Sequence, residues 1–111
     1  MNSTVYITQE KRDMDFSPAI KYGKLVTVLP ARDRMLDLSS SMLRIHDKML
    51  DFSDSDYIVA TGHPNAIALV TSIAARLNGG RYKMLVWDRD LQGYFSTQVD
   101  VSRVPQQEIQ I

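Results

Sequence analysis

The chain has no cysteine. Disulfides, thiolate metal sites and a cysteine nucleophile are thereby excluded, and the composition suits a reducing cytoplasm. Histidine is nearly as scarce. With only His46 and His63, a multi-histidine metal site is ruled out. No apolar run approaches the ~18 residues of a membrane-spanning helix. The opening stretch, MNSTVYITQEKRD, holds no apolar core of the secretory kind. An excess of either charge is lacking too. Thirteen basic residues offset thirteen acidic ones, so no net field draws the molecule toward nucleic acid or anionic lipid. The basic residues are not interleaved with aromatics, so neither nucleic-acid binding nor a membrane partner is expected. The signature loops of phosphate and acyl chemistry are missing as well. There is no G-x-G-x-x-G, no G-x-x-x-x-G-K-[ST] and no G-x-S-x-G.

What remains is a globular composition, 44% hydrophobic and 23% charged over 111 residues, the size of one domain. A single α/β domain is expected over 1–103, followed by a C-terminal tail at 104–111, VPQQEIQI. Residues 57–80 carry one charge, Arg76. An unpaired buried charge is costly, so this stretch is expected to form the heart of the domain.

The clearest element is a helix over 64–77. Pro64 suits a first helical position, and Asn78-Gly79-Gly80 is a strong stop. Ile67, Val70, Ile73, Ala74 and Leu77 follow helical spacing. Apolar runs at Tyr57–Thr61 and Tyr82–Trp87 flank it and read as a βαβ unit. Lys24–Leu29 is a further strand of the same kind, and Val5–Thr8 a weaker one. A second helix is expected at about 33–51, its apolar arc made by Met35, Leu38, Met42, Ile45, Met49 and Phe52. Leu36, Leu43 and Leu50 widen that arc on one flank, and His46 falls inside it as a packed histidine. Ser39-Ser40-Ser41 lowers helix propensity and points to a late start or a bend. Tyr94–Val101 alternates, with Phe95, Thr97 and Val99 facing one way and Tyr94, Ser96 and Gln98 the other. The expected fold is α/β: a three-stranded parallel βαβαβ core, extended by antiparallel edge strands, with two helices.

Two helices are few for such a sheet. Five strands about 4.8 Å apart make a layer roughly 20–24 Å wide, and a helix is about 10 Å across. Either apolar surface is left over for a partner, or the first 20 residues and the tail cover the gap.

Three groups of residues are candidates for function. The Thr61-Gly62-His63-Pro64-Asn65 turn joins a strand to a helix N-terminus, a place suited to an anion. Gly62, His63 and Asn65, with Arg32, Arg34 and Arg89 at the same sheet edge, would hold a phosphate or carboxylate. The competing reading is a tight turn at Gly62, a helix capped by His63 or Thr61, and arginines paired with Asp33, Asp37 and Asp88. Met35, Met42 and Met49 recur every seven residues; methionine fills cores and also serves adaptable binding surfaces. Trp87, beside Asp88-Arg89, is either core or an interface anchor. Nothing in the spacing of Asp54, Asp56 or Asp88 favours magnesium, and no cofactor is expected.

From Tyr57 to Val101 the chain resembles small, mostly uncharacterised proteins of tailed bacteriophages. The shared pattern is Gly62-His63-Pro64, an alanine-rich helix, Asn78-Gly79-Gly80-Arg81, Trp87-Asp88-Arg89 and a strand ending in Val99-Asp100. The resemblance leaves the N-terminal half unmatched and brings no catalytic residue. It implies a small phage product made in the bacterial cytoplasm, of the kind that binds host or phage machinery. The expected function is a non-enzymatic interaction module, a phage regulator or inhibitor used in host takeover, that binds a protein and self-associates. The alternatives are a phosphate- or nucleotide-binding enzyme or sensor at the 61–65 turn, and a virion assembly component.

Overall fold

The computed structural model describes residues 2–103; the tail expected at 104–111 lies outside the described residues. Five strands form one sheet in the order β2-β1-β3-β4-β5: β1 Thr4–Gln9, β2 Lys24–Leu29, β3 Tyr57–Val59, β4 Arg81–Asp88 and β5 Gly93–Asp100. Helix α1, Leu38–Lys48, links β2 to β3, and α2, Pro64–Leu77, links β3 to β4. A short 3-10 segment, Ser17–Tyr22, lies between β1 and β2.

The α/β class is as expected, but the N-terminal strand is not an edge extension. β1 sits second in the sheet, parallel to both β2 and β3, so four strands are parallel and β5 alone is antiparallel. Val5 through Gln9 are all buried, as befits a strand covered on both faces. Thr8 and Gln9 make the run look half-polar in sequence, yet both side chains satisfy neighbouring backbone inside the protein.

Crossover handedness accounts for the layers. The β1-to-β2 step runs one way along the sheet, and the next two connections run the other way. Right-handed crossovers then place the first connection on one face and α1 and α2 on the other. The helical face packs Ile45 and Met49 of α1 and its end, and Ala66, Val70 and Ile73 of α2, on Tyr6, Val28 and Ile58. On the opposite face Phe16, Ala19 and Tyr22 cover Val5, Ile7, Val59, Leu85 and Tyr94. The N-terminal segment thus fills the gap left by having only two helices.

Local chemistry trims the expected elements. Asp37 caps α1 by accepting from the Ser40 N–H at 3.1 Å, so the helix starts at Leu38 rather than near residue 33. β3 ends at Val59 because the Thr8 side chain takes over both backbone groups of Thr61. α2 runs over the expected residues, capped by His63 and stopped at Asn78. The β5 alternation departs from expectation at its start, where Tyr94 is buried and Phe95 exposed, while Thr97 and Val99 remain the half-buried side against exposed Ser96 and Gln98. Tyr94 lies under the Ser17–Tyr22 segment, with the Tyr22 hydroxyl donating to its carbonyl at 2.8 Å, while the helical layer ends over β4.

One core group titrates to the disadvantage of the fold. Tyr6 is buried edge-on to Phe52, ring centroids 5.7 Å apart. Burial first, then the charges of Asp56 and Asp51, push its phenol above the ordinary value of about 10. The fold keeps this proton where the unfolded chain has already released it, so stability falls as pH rises beyond about 10 and is untouched by this group below. Urea midpoints are expected to drop more steeply above pH ~10 in the wild type than in Tyr6→Phe. Equal alkaline slopes in the two proteins would contradict this.

Candidate functional site

In an open parallel sheet, ligands enter where neighbouring connections leave in opposite directions, beyond the strands' carboxyl ends. Here that point lies between β1 and β3, at Gln9 and the Thr61–Asn65 turn. It is filled by the chain itself. The buried Gln9 side chain donates from Nε2 to the carbonyls of Pro30 (3.1 Å) and Asp33 (2.8 Å). Its Oε1 accepts from the His63 N–H at 2.7 Å. Three loops, after β1, β2 and β3, are tied by this one amide. Gly62, at φ +92°, lies against it so closely that a Cβ would fall 2.5 Å from the Gln9 Cβ and Oε1.

The donors an anion would use are taken as well. The Asn65 N–H donates to His63 Nδ1 at 3.0 Å, so His63 is the helix cap. The Ala66 and Ile67 N–H groups donate to the His63 carbonyl. His63 and Asn65 are exposed, but their backbone N–H groups point at partners already in place.

The arginines stand on two different loops of that edge. Arg32 and Arg34 are exposed on the loop after β2, where they line an open hollow of about 350 Å³ with Arg44, Asp33 and Asp37. The acids expected to pair with them are engaged elsewhere. Asp33 binds Arg44 at 2.7 Å and accepts from the Met35 N–H, Asp37 caps α1, and Asp88 accepts from the N–H groups of Asp90 and Leu91. Arg89 stands in the β4–β5 turn, three strand positions from β2 and so roughly 14 Å away across the sheet.

The methionine series is divided by the structure. Met35 precedes α1 in a left-handed conformation, φ +57°, and is buried, as is Met49. Met42 is exposed. Trp87 is half-exposed on the other face of the sheet, its ring edge-on to Tyr94 at 5.0 Å, so Met42 and Trp87 do not share a surface. Its neighbour Asp88 holds the turn rather than Arg89. Among the described residues, no group of three His, Asp or Glu side chains is placed to hold a metal ion, and no helix is long and apolar enough to cross a membrane.

The feature that sequence reasoning misjudged is the outer side of α1. The buried stripe of this helix is Ser41-Ile45-Met49. At about 100° per residue, Leu43 lies some 160–200° around from both Ser41 and Ile45, and so faces away from the core. Leu36, Leu43 and Leu50 are 76%, 70% and 57% exposed, and Met42 46%. They do not widen the buried arc: Met42 and Leu43 face outward from the helix, and Leu36 and Leu50 lie before and after it. His46 is exposed too, lining with Met42, Leu43, Ile73 and Arg76 a groove of about 530 Å³ between α1 and α2. The expected helix of 33–51 carried the periodicity past both ends of the real one, so Leu36 and Leu50 were counted on a face they do not share.

The geometry therefore offers one self-filled cleft, one open arginine-lined hollow and one outward apolar face. A family model described as Phage Pam3 gp32-like protein matches residues 3–101. No curated protein and no solved structure matches the chain.

Proposed function

The chain belongs to the Phage Pam3 gp32-like protein family, and from that premise we propose that it is a protein-interaction module working in the bacterial cytoplasm. In this reading it is a phage regulator or inhibitor that binds a host or phage protein, associates with itself and performs no chemistry. The observation that carries the reading is the apolar surface on the outer side of α1, where the exposed Met42 and Leu43 line a groove against Ile73 of α2. A cluster of large apolar side chains on the surface of a small protein marks a docking surface more often than chance exposure. Balanced charge fits recognition by shape rather than by a long-range field.

The test is capture on the immobilised full chain from bacteria with and without phage gene expression. Wild type is expected to retain a defined bacterial or phage protein that Leu43→Lys loses while folding equally well. Retention of nothing by the wild type, or equal retention by both, would overturn the reading.

The phosphate-binding alternative makes a separate forecast. A ligand held at the 61–65 turn at a hundred times its dissociation constant would stabilise the fold by about 2.7 kcal/mol. Because the Asn65, Ala66 and Ile67 N–H groups are already bonded, melting temperatures are expected to stay unchanged with inorganic phosphate, nucleotides and sugar phosphates. A shift abolished by Arg34→Ala or Arg89→Ala would restore that alternative.

A further inference from the structure

The two edges of the sheet differ in how they are guarded. At one edge β2 is blunted: Lys24 begins it, Pro30 follows it, and the Lys48 ammonium donates to the Thr27 carbonyl at 3.4 Å. At the other, β5 carries no charge from Gly93 to Val99 and no proline. It has no bulge either, its register with β4 running unbroken from Asp88↔Gly93 to Arg81↔Asp100. Among the described residues no strand lies beyond it. Natural sheets guard edges of this length, because an unguarded one is a template for another strand.

Hydrogen-bond alternation identifies the groups on offer. The Val101 N–H donates to the Gly80 carbonyl at 2.9 Å, so the odd-numbered residues of β5 bond β4 and the even-numbered ones point outward. Tyr94 agrees, since its carbonyl accepts from the Tyr22 hydroxyl, and that bond closes the Gly93 end of the edge. Ser96 and Gln98, both exposed, present outward N–H and carbonyl groups.

A second β5 laid antiparallel, with a two-fold axis at Thr97, uses both. Ser96 and Gln98 then exchange backbone bonds with the partner's Gln98 and the partner's Ser96. Thr97 meets the partner's Thr97, and Phe95 meets the partner's Val99. Thr–Thr and aromatic–β-branched pairs are among those favoured across strands, and no two charges are set opposite. An axis at Ser96 would need the Tyr94 carbonyl, which is taken. An axis at Gln98 would carry Phe95 past the end of the strand. The contact also covers apolar surface: Phe95 and its cross-strand neighbour Val86, 41% and 39% exposed, lie where the helical layer ends. We propose that a second copy of the chain occupies this edge through an antiparallel β5–β5 contact centred on Thr97, joining two five-stranded sheets into one. Such a self-matching strand is what an isologous contact requires. This rests on the self-association in the reading above and assigns it to a surface other than the α1 groove that carries partner capture.

Because the chain lacks cysteine, single cysteines report the register directly. Facing Cα atoms of a non-hydrogen-bonded antiparallel pair lie about 4.5 Å apart, inside disulfide reach. Under mild oxidation, Thr97→Cys is expected to shift to double mass on a non-reducing gel. Phe95→Cys mixed with Val99→Cys is expected to crosslink where each alone, roughly 14 Å from its own copy, does not. Thr97→Lys sets like charges on the axis, and Ser96→Pro removes an outward donor while sparing the bonds to β4. Both are expected to sediment as single chains, and circular dichroism melts confirm that every variant folds. Failure of Thr97→Cys to crosslink would overturn the proposal. Self-crosslinking of Phe95→Cys and of Val99→Cys as fast as their mixture would mean another register and do the same. Capture of a bacterial or phage protein without any crosslinking would overturn the second-copy assignment and leave the regulator standing. Crosslinking with nothing captured would uphold the pairing and remove the regulator.

Discussion

Gly62→Ala is expected to destabilise the fold by about 4 kcal/mol, a large part of the ~5–15 kcal/mol a domain has. Two costs add. Holding a side chain at φ +92° costs about 1–3 kcal/mol. The new Cβ also falls 2.5 Å from the Gln9 Cβ and Oε1, and no rotamer change moves the Cβ away. Moving Gln9 strains its bonds to the Pro30 and Asp33 carbonyls and the His63 N–H, and a buried polar group left unpaired costs about 1–3 kcal/mol. The melting temperature should fall by more than about 10 °C. Gly93→Ala is the control: its Cβ would meet nothing closer than 3.8 Å, and a near-neutral melt is expected. Similar melts for the two variants would show that Gln9 does not fill the cleft as described.

The second large effect separates the two sides of α1. Ile45 is fully buried against the sheet, and Ile45→Ala is expected to cost about 2–5 kcal/mol in lost contacts and cavity. Leu43, two residues earlier on the same helix, is 70% exposed, and Leu43→Ser is expected to stay within about 0.5 kcal/mol. The comparison is made by urea unfolding at a dilution where association contributes nothing. Equal losses would mean that Leu43 is part of the core. A cheap Leu43→Ser means that stability does not account for a leucine at this position.

Strong local signals carried much of the architecture. Pro64 and Asn78-Gly79-Gly80 bracketed α2, and the uncharged stretch around it is indeed central in the sheet order. The placement of β1 was hidden because Thr8 and Gln9 are polar in composition but buried and bonded in space, a long-range matter that periodicity does not carry. The start of α1 depends on Asp37 accepting from the Ser40 N–H, one of several serines and acids in that stretch able to cap. At the candidate site, the turn geometry at Gly62 and the capping by His63 were legible from the strand–turn–helix pattern. The plug was not, since Gln9 lies 54 residues from His63 in the chain. The outer side of α1 illustrates a different limit. Met42 and Leu43 are apolar whichever way they face, and only the helix rotation, fixed by the buried Ser41, divides them from Ile45.

Sedimentation velocity of the full chain across a concentration series measures most directly whether the chain associates with its own copy through the edge of β5. Wild type is expected to move reversibly from the 12.6 kDa chain toward twice that mass as concentration rises, while Thr97→Lys holds the single-chain mass and melts at the same temperature. Wild type and Thr97→Lys sedimenting alike at every concentration would contradict it.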